Sequence, residues 1–236
     1  MGRRLLIAVA VLGLVSACSN TVDGTPKAER TQGPVAPATP AAPAVANMDE
    51  AALNGLLLSV DDVRAIMAAP DLQIQQTYEQ MPPSTVGYVP EDCARAAFNT
   101  VEAGYRDSGF GAVRGMVMQE PDAAEVLHVV DQGVVTFPDA AAANTYVTRT
   151  IEAWRRCAGT PFTALRPEAA EHWTFGDVSE DDGITAIPKT AEASEWTCSH
   201  AIAGKANVVI DVSACGFEIT DQAKTIVGRI RDKFPA

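Results

Sequence analysis

Apolar residues recur along this chain with several different periods, and the changes of period mark out its elements. From Leu5 to Val15 they run almost without interruption behind Arg3 and Arg4. From Ser19 to Asn47 no period survives: the segment is Thr, Ala, small polar residues and Pro26, Pro34, Pro37, Pro40 and Pro43. Regular patterning starts at Met48. Leu58-Ser59-Val60-Asp61-Asp62-Val63-Arg64-Ala65-Ile66-Met67 predicts a helix that opens on Ser59, with Asp62 three residues on in the capping-box position. Asp61 and Asp62 suit the positive end of the helix dipole, so they are read as capping groups and not as a metal or acid pair. Residues 70–92, with Pro70, Pro82, Pro83 and Pro90, are expected to be loop or irregular strand. Cys93 to Val101 is a short helical candidate.

Beyond Gly104 the pattern turns to strands. Gly111–Gln119 and Ala124–Phe137 are β-branched or alternating. Ala140–Arg156 then places Tyr146, Val147, Ile151 and Trp154 three or four apart, the clearest amphipathic helix in the chain. His172–Val178 and Ile184–Pro188 are short strands around the acidic turn Glu180-Asp181-Asp182-Gly183. Ser194–Ala203 and Asn207–Cys215 read as a hairpin closed by Gly204-Lys205-Ala206. The chain ends in a helix, Ile219–Phe234, with Ala223, Ile226, Val227, Ile230 and Phe234 on its apolar side. A hairpin, many strands and few crossover units predict an α+β fold: a mainly antiparallel sheet packed against two long helices on one face.

The start of the chain has the order of a bacterial export signal: a basic start, an apolar core too short to span a bilayer, then small residues at Val15-Ser16-Ala17-Cys18. A cysteine at that point is the thiol that lipoprotein maturation acylates, with palmitate or a similar chain. Residues 1–17 are therefore expected to be a signal peptide, 18–47 a lipidated cysteine with a disordered tether, and 48–236 one domain. An extended tether of that length reaches roughly 80–90 Å. The expected location is the outer face of the cell membrane, held by lipid on Cys18.

Charge and cysteine count narrow the partners. Lys and Arg number 18 against 30 Asp and Glu, a net charge of −12. Losing Arg3 and Arg4 with the signal makes the balance more negative still. Such a surface repels phosphate backbones, which excludes nucleic acid as a partner. Of five cysteines, four remain after acylation: Cys93, Cys157, Cys198 and Cys215. An even count in an exported domain predicts two disulfides, with three connectivities open. Cys93–Cys157 with Cys198–Cys215 is favoured, because the second pair brackets the hairpin. Absence of Cys-x-x-Cys spacing or paired histidines argues against zinc.

Motifs of catalysis are missing. His128, His172 and His200 are scattered, and no Gly-x-Ser-x-Gly, His-Glu-x-x-His or Ser-x-x-Lys set occurs. Gly109-Phe110-Gly111-Ala112-Val113-Arg114-Gly115 is spaced wrongly for a dinucleotide loop and reads as a turn into a strand. No cofactor or metal is expected. Aromatic residues make up only 6% of the chain, too few for an obvious carbohydrate platform. Trp154 and Trp196 are explained by packing. Tyr88, Tyr105 and Trp173, next to loops, are the candidate ligand contacts.

The ordered series "LLLSVDDVRAIM", "PEDCARAAFN", "VVTFPDAAAANTYV", "WRRCAG", "HWTFGDV" and "WTCSHAIAGKANVVIDVSAC" resembles the PknH-like extracellular domain of mycobacteria. The resemblance covers nearly all of residues 50–234. It implies the extracytoplasmic sensor domain of a receptor Ser/Thr protein kinase, a domain that also recurs in lipoproteins. It further implies an α+β fold, two sequential disulfides and a cleft for an unidentified ligand, with no catalytic residues to transfer. The expected function is binding of a small molecule or cell-wall component without catalysis. Interaction with an unknown envelope receptor or complex is the second reading, and an envelope hydrolase the third.

Overall fold

The computed structural model describes residues 47–121, 126–167 and 169–235, so Cys18 and the segment around it lie outside the described residues. The domain opens with α1 (Glu50–Leu53) and α2 (Val60–Met67). Ser59 and Asp62 form the predicted reciprocal capping box, and Ala68 ends α2 in the left-handed conformation. Next come β1 (Gln73–Tyr78) and β2 (Gly87–Val89). Both fall in the stretch expected to be loop or irregular strand. Five of the six β1 residues are exposed and four of them are Gln or Thr, so no apolar alternation marks it. The candidate helix at Cys93–Val101 is shorter than expected: a 3-10 turn at Glu91–Cys93 leads into α3 (Ala94–Ala97), and Phe98 is extended. A further turn of helix, α4 (Glu102–Tyr105), follows.

The remaining elements are β3 (Val113–Gln119), β4 (His128–Thr136), α5 (Ala140–Cys157), β5 (Pro161–Leu165), β6 (Ala170–Phe175), β7 (Ser179–Asp181), β8 (Ile184–Ala191), β9 (Thr197–Lys205), β10 (Val208–Gly216) and α6 (Gln222–Arg231). Asp139 caps α5 by accepting from the amide of Ala142. Among the described residues the strands form one antiparallel sheet in the order β1-β3-β4-β10-β9-β8-β6-β5-β2, with β7 paired to β8. The glycine-rich stretch is a turn into β3, as read from the sequence: Gly109 has a φ of 74°.

Helices cover both faces of this sheet, which corrects the expectation that two long helices share one. In β10, Val208, Ile210, Val212 and Ala214 pack with Ile226, Val227 and Ile230 of α6 and with Val63 and Met67 of α2. Val209 and Cys215 turn the other way, towards Tyr146 and Trp154 of α5. Successive side chains of a strand point to opposite sides, so a strand apolar at both parities must be buried on both. Among the described residues only α5, at 18 residues, is a long helix; α6 has 10.

Both predicted disulfides are present. Cys198 and Cys215 are directly opposed residues of β9 and β10, 4.0 Å apart at Cα. Cys93 and Cys157 join the 3-10 turn to the end of α5 at a Cα separation of 5.8 Å. Their sequence separations of 17 and 64 residues correspond to about 3 and 4 kcal/mol in the chain-entropy account.

Candidate functional site

Strands β2, β5, β6 and β8 form one end of the sheet, and on the α5 face they carry an aromatic cluster. Phe162 stacks on Phe175 at 4.5 Å and lies 6.2 Å from Trp173; Tyr88 meets Phe98 at 5.2 Å. Lys189 of β8 points into this cluster and is 4% exposed. Its amine sits 4.0 Å from the ring centre of Phe98, 5.1 Å from Trp173 and 5.7 Å from Phe162, and donates to the Ala97 carbonyl. Among the described residues no carboxylate pairs with it. Burial pushes the amine down to about 7, with the Arg166 guanidinium acting in the same direction.

Two cavities open beside the cluster. One, of about 580 Å³, lies between the β2 edge and the α3–α4 segment, with Tyr88, Arg95, Arg106 and Leu165 in its wall. The other, of about 600 Å³, forms where β6 parts from the loop after β8; β6 pairs with β8 only through Trp173–Phe175. Trp173, Trp196, His172, Glu171, Glu192 and Arg166 line it. Both have the size of ordinary small-molecule sites. Tyr88 is half-buried on the first cavity and Trp173 largely buried on the second. Trp196, read as a packing residue, also reaches the second. The three predicted contacts do not converge on one pocket.

Tyr105 belongs to a different arrangement, a polar cluster inside the α5 face. It is 2% exposed, stacks on Tyr146 at 4.5 Å, and donates its hydroxyl to Asp211 at 2.8 Å. The same Asp211 carboxylate accepts the amide of Thr100 at 3.0 Å and faces Nε2 of His200 at 2.6 Å. His200 Nδ1 lies 3.2 Å from the Ala96 carbonyl, so each ring nitrogen faces an oxygen. Asp131, on the neighbouring strand β4, accepts from Tyr78, whose hydroxyl also meets that of Thr100 at 2.6 Å. Burial raises the Asp131 carboxyl to about 7 and holds the Tyr105 and Tyr78 hydroxyls well above the ordinary phenol range. Thr100 sits directly over Gly133, where any Cβ would overlap its side chain.

The polar groups of the cluster are spent on one another, and Tyr105 also lines a cavity of about 490 Å³ with Met81, Arg106 and Phe110. His128 pairs with Glu120 at 2.7 Å, and His172 with the Thr163 hydroxyl at 3.1 Å. Among the described residues no group of three His, Cys, Asp or Glu side chains is placed to hold a metal. Lys189, Asp211 and Asp131 were passed over by the sequence reading. The available signal was a charged residue at an inward parity within an otherwise apolar strand, as for Asp211 between Ile210 and Val212.

Residues 48–233 match the family model of the PknH-like extracellular domain. The chain belongs to that family. Serine/threonine-protein kinase PknH of Mycobacterium bovis is 33% identical over 234 residues, which is 98% of this chain and 36% of that protein. Serine/threonine-protein kinase PknJ of Mycobacterium tuberculosis is 28% identical over 180 residues, 75% of this chain and 31% of that protein. The chain thus spans about a third of the length of these curated relatives. The crystal structure of the extracellular domain of PknH from Mycobacterium tuberculosis superposes with a TM-score of 0.77 at 33% identity, covering 80% of this chain and 97% of that one. Residues 48–233 therefore have the fold of an extracellular domain family. Among the described residues no helix is long and apolar enough to cross a membrane.

Proposed function

We propose that this chain is a lipid-anchored protein of the cell envelope whose PknH-like domain binds a small molecule or envelope component and does no chemistry on it. The cavity carrying Trp173 and Trp196 is the main support: an aromatic wall with Glu, Arg and His at its rim, in a fold shared with the extracellular domain of PknH. Anchoring through Cys18 rests on the order of basic, apolar and small residues before it. Melting of the protein in the presence of cell-wall fragments and lipids is the test. An envelope component that raises the Tm of the native chain, but not of Trp173→Ala, is expected; no shift with any of them at saturation refutes ligand binding. Mass spectrometry of the chain from its native host should find Cys18 acylated, and an unmodified thiol there ends the anchoring proposal.

A second reading, docking on an envelope receptor, draws support from Val89 and Leu165, which are 56% and 47% exposed. They share the sheet surface opposite the aromatic cluster, where Val89 pairs with Thr163 and Leu165 with Gly87.

A further inference from the structure

The cavity at the fork of β6 and β8 carries more than an aromatic wall. Its Trp173 is braced by Phe162, with ring centres 6.2 Å apart, and its Trp196 by Phe217, which meets it edge-on at 5.2 Å. The turn after β8 holds Trp196 in place: its carbonyl accepts the Ala191 amide at 2.9 Å and its own amide donates to the Ser194 hydroxyl at 3.3 Å. In the same turn the Glu192 amide donates to the His172 carbonyl at 2.9 Å, which ties Glu192 to β6 beside Trp173. Two braced indoles and a carboxylate thus share one opening of about 600 Å³.

The charges around this opening do not cancel. Arg166 and Glu171 are spent on each other, Nε to carboxylate oxygen at 2.7 Å, and His172 Nδ1 meets the Thr163 hydroxyl at 3.1 Å. That leaves Glu192, which is exposed and whose carboxylate pairs with no cation among the described residues. Glu195 precedes Trp196 and Glu218 follows Phe217; both are exposed and likewise without an ion pair among the described residues. A further cation close by is the Lys189 amine, 5.1 Å from the Trp173 ring centre and 4% exposed. The carboxylate that acts on it is Glu171, and at pH 8 an amine lowered by burial to about 7 is mostly uncharged.

An indole face attracts a cation through its quadrupole, and a carboxylate beside two such faces adds direct charge attraction. An anion would meet Glu192 and its acidic neighbours unopposed. A neutral apolar body would gain the indoles and nothing from the carboxylate. Taking the cavity as the binding site proposed above, we infer that its ligand is a small organic cation, an amine or quaternary ammonium whose apolar groups lie on Trp173 and Trp196 and whose charge faces Glu192.

Choline and its neutral isostere 3,3-dimethyl-1-butanol separate charge from shape. The chain has three tryptophans, and the indole N–H resonance of each reports on its own ring. Titrated into the full chain at pH 8, choline should shift the Trp173 and Trp196 signals saturably. Trp154 is fully buried, with its Nε1 donating to the Arg95 carbonyl at 2.9 Å, so its signal should stay put. The neutral isostere should bind about tenfold more weakly. Glu192→Gln, at an exposed position, should weaken choline about threefold, and Trp196→Ala about tenfold. The organic cation is overturned as the ligand if choline shifts neither signal, if the isostere binds as well, or if the folded variants bind choline like the native chain. Such a result removes the cation and not the cavity where an envelope component still raises the Tm of the native chain but not of Trp173→Ala. No shift in Tm with any envelope component removes both.

Discussion

On the face beneath α6, strands β4 and β10 bury Val130, Val134, Ile210 and Val212 against Ile226 and Ile230. On the face beneath α5, the alternate positions of the same two strands bury Asp131 and Asp211, joined by His200, Tyr78, Tyr105 and the Thr100 loop. The α6 face is mainly aliphatic, with Gln132 as its buried amide and Arg114 at its margin. Both disulfides, the aromatic cluster, Lys189 and the two cavities beside it belong to the α5 face or its edge. An aliphatic layer is held by area alone and tolerates change gradually. A polar cluster in low dielectric is held by complete pairing, so losing one member strands the others. The α5 face is therefore the one whose geometry is specified, and it is also where α3 and α4 sit against the first cavity. Substitutions that separate these two kinds of packing are the natural probes.

The largest effect is expected at Asp211. Asp211→Ala leaves the Tyr105 hydroxyl, the Thr100 amide and His200 Nε2 without their acceptor in a closed interior, a loss on the order of 4 kcal/mol. Urea unfolding should show the midpoint falling far below that of any single truncation on the aliphatic face. A loss under about 1 kcal/mol, the scale of one ordinary hydrogen bond, would mean that the cluster is not a unit.

The sequence made some of this contrast legible and hid the rest. The amphipathic stripe of α5, the Ser59 capping box and the β9–β10 hairpin with its disulfide could be read directly, because each depends on residues close together in the chain. So could the family, from the ordered series of short segments. Strand β1 could not: Gln73-Ile74-Gln75-Gln76-Thr77 carries no core-facing pattern, since its place is set by pairing with β3. Tyr105 read as a pocket residue because it lies near a loop, yet its hydroxyl is fixed by Asp211, more than a hundred residues away. Long-range satisfaction of polar groups leaves no local period. Trp173 and Tyr88 line two different cavities, one at the fork where β6 leaves β8 and one at the β2 edge, and neither opening leaves a mark in the local pattern.

Next in size are the two titrating groups, and they have opposite signs. The Lys189 amine is lowered from 10.5 to about 7, so the fold prefers it uncharged. Its contribution is whole above the unfolded value and is lost as pH falls towards 7. Lys189→Met, which keeps the volume and the aromatic contacts, should raise stability at pH 7 by about 1–2 kcal/mol, with the gain shrinking towards pH 10. The Asp131 carboxyl is raised from 3.8 to about 7, so the fold prefers it protonated. Its contribution is whole below the unfolded value and is lost as pH rises through 7. Asp131→Asn should raise the Tm at pH 8 and leave it almost unchanged at pH 4. Thermal unfolding of both variants across pH 4–10 reads the two windows. Equal gains at every pH would show that neither group titrates with the fold.

The smallest effect belongs to the aliphatic face. Ile226 is fully buried in α6 against β8–β10, and Ile226→Val removes a single methylene where Ala201, Ala203 and Ala214 leave the neighbours small. The expected cost is about 1 kcal/mol, a shift of roughly 2–4 °C in a domain of this size. No ionisable group pairs with that side chain, so the cost should stay the same from pH 4 to pH 10. A cost that varied with pH would mean that the sheet passes strain from Asp131 and Asp211 through to its other side. A constant one means that the two layers share strands but not energetics.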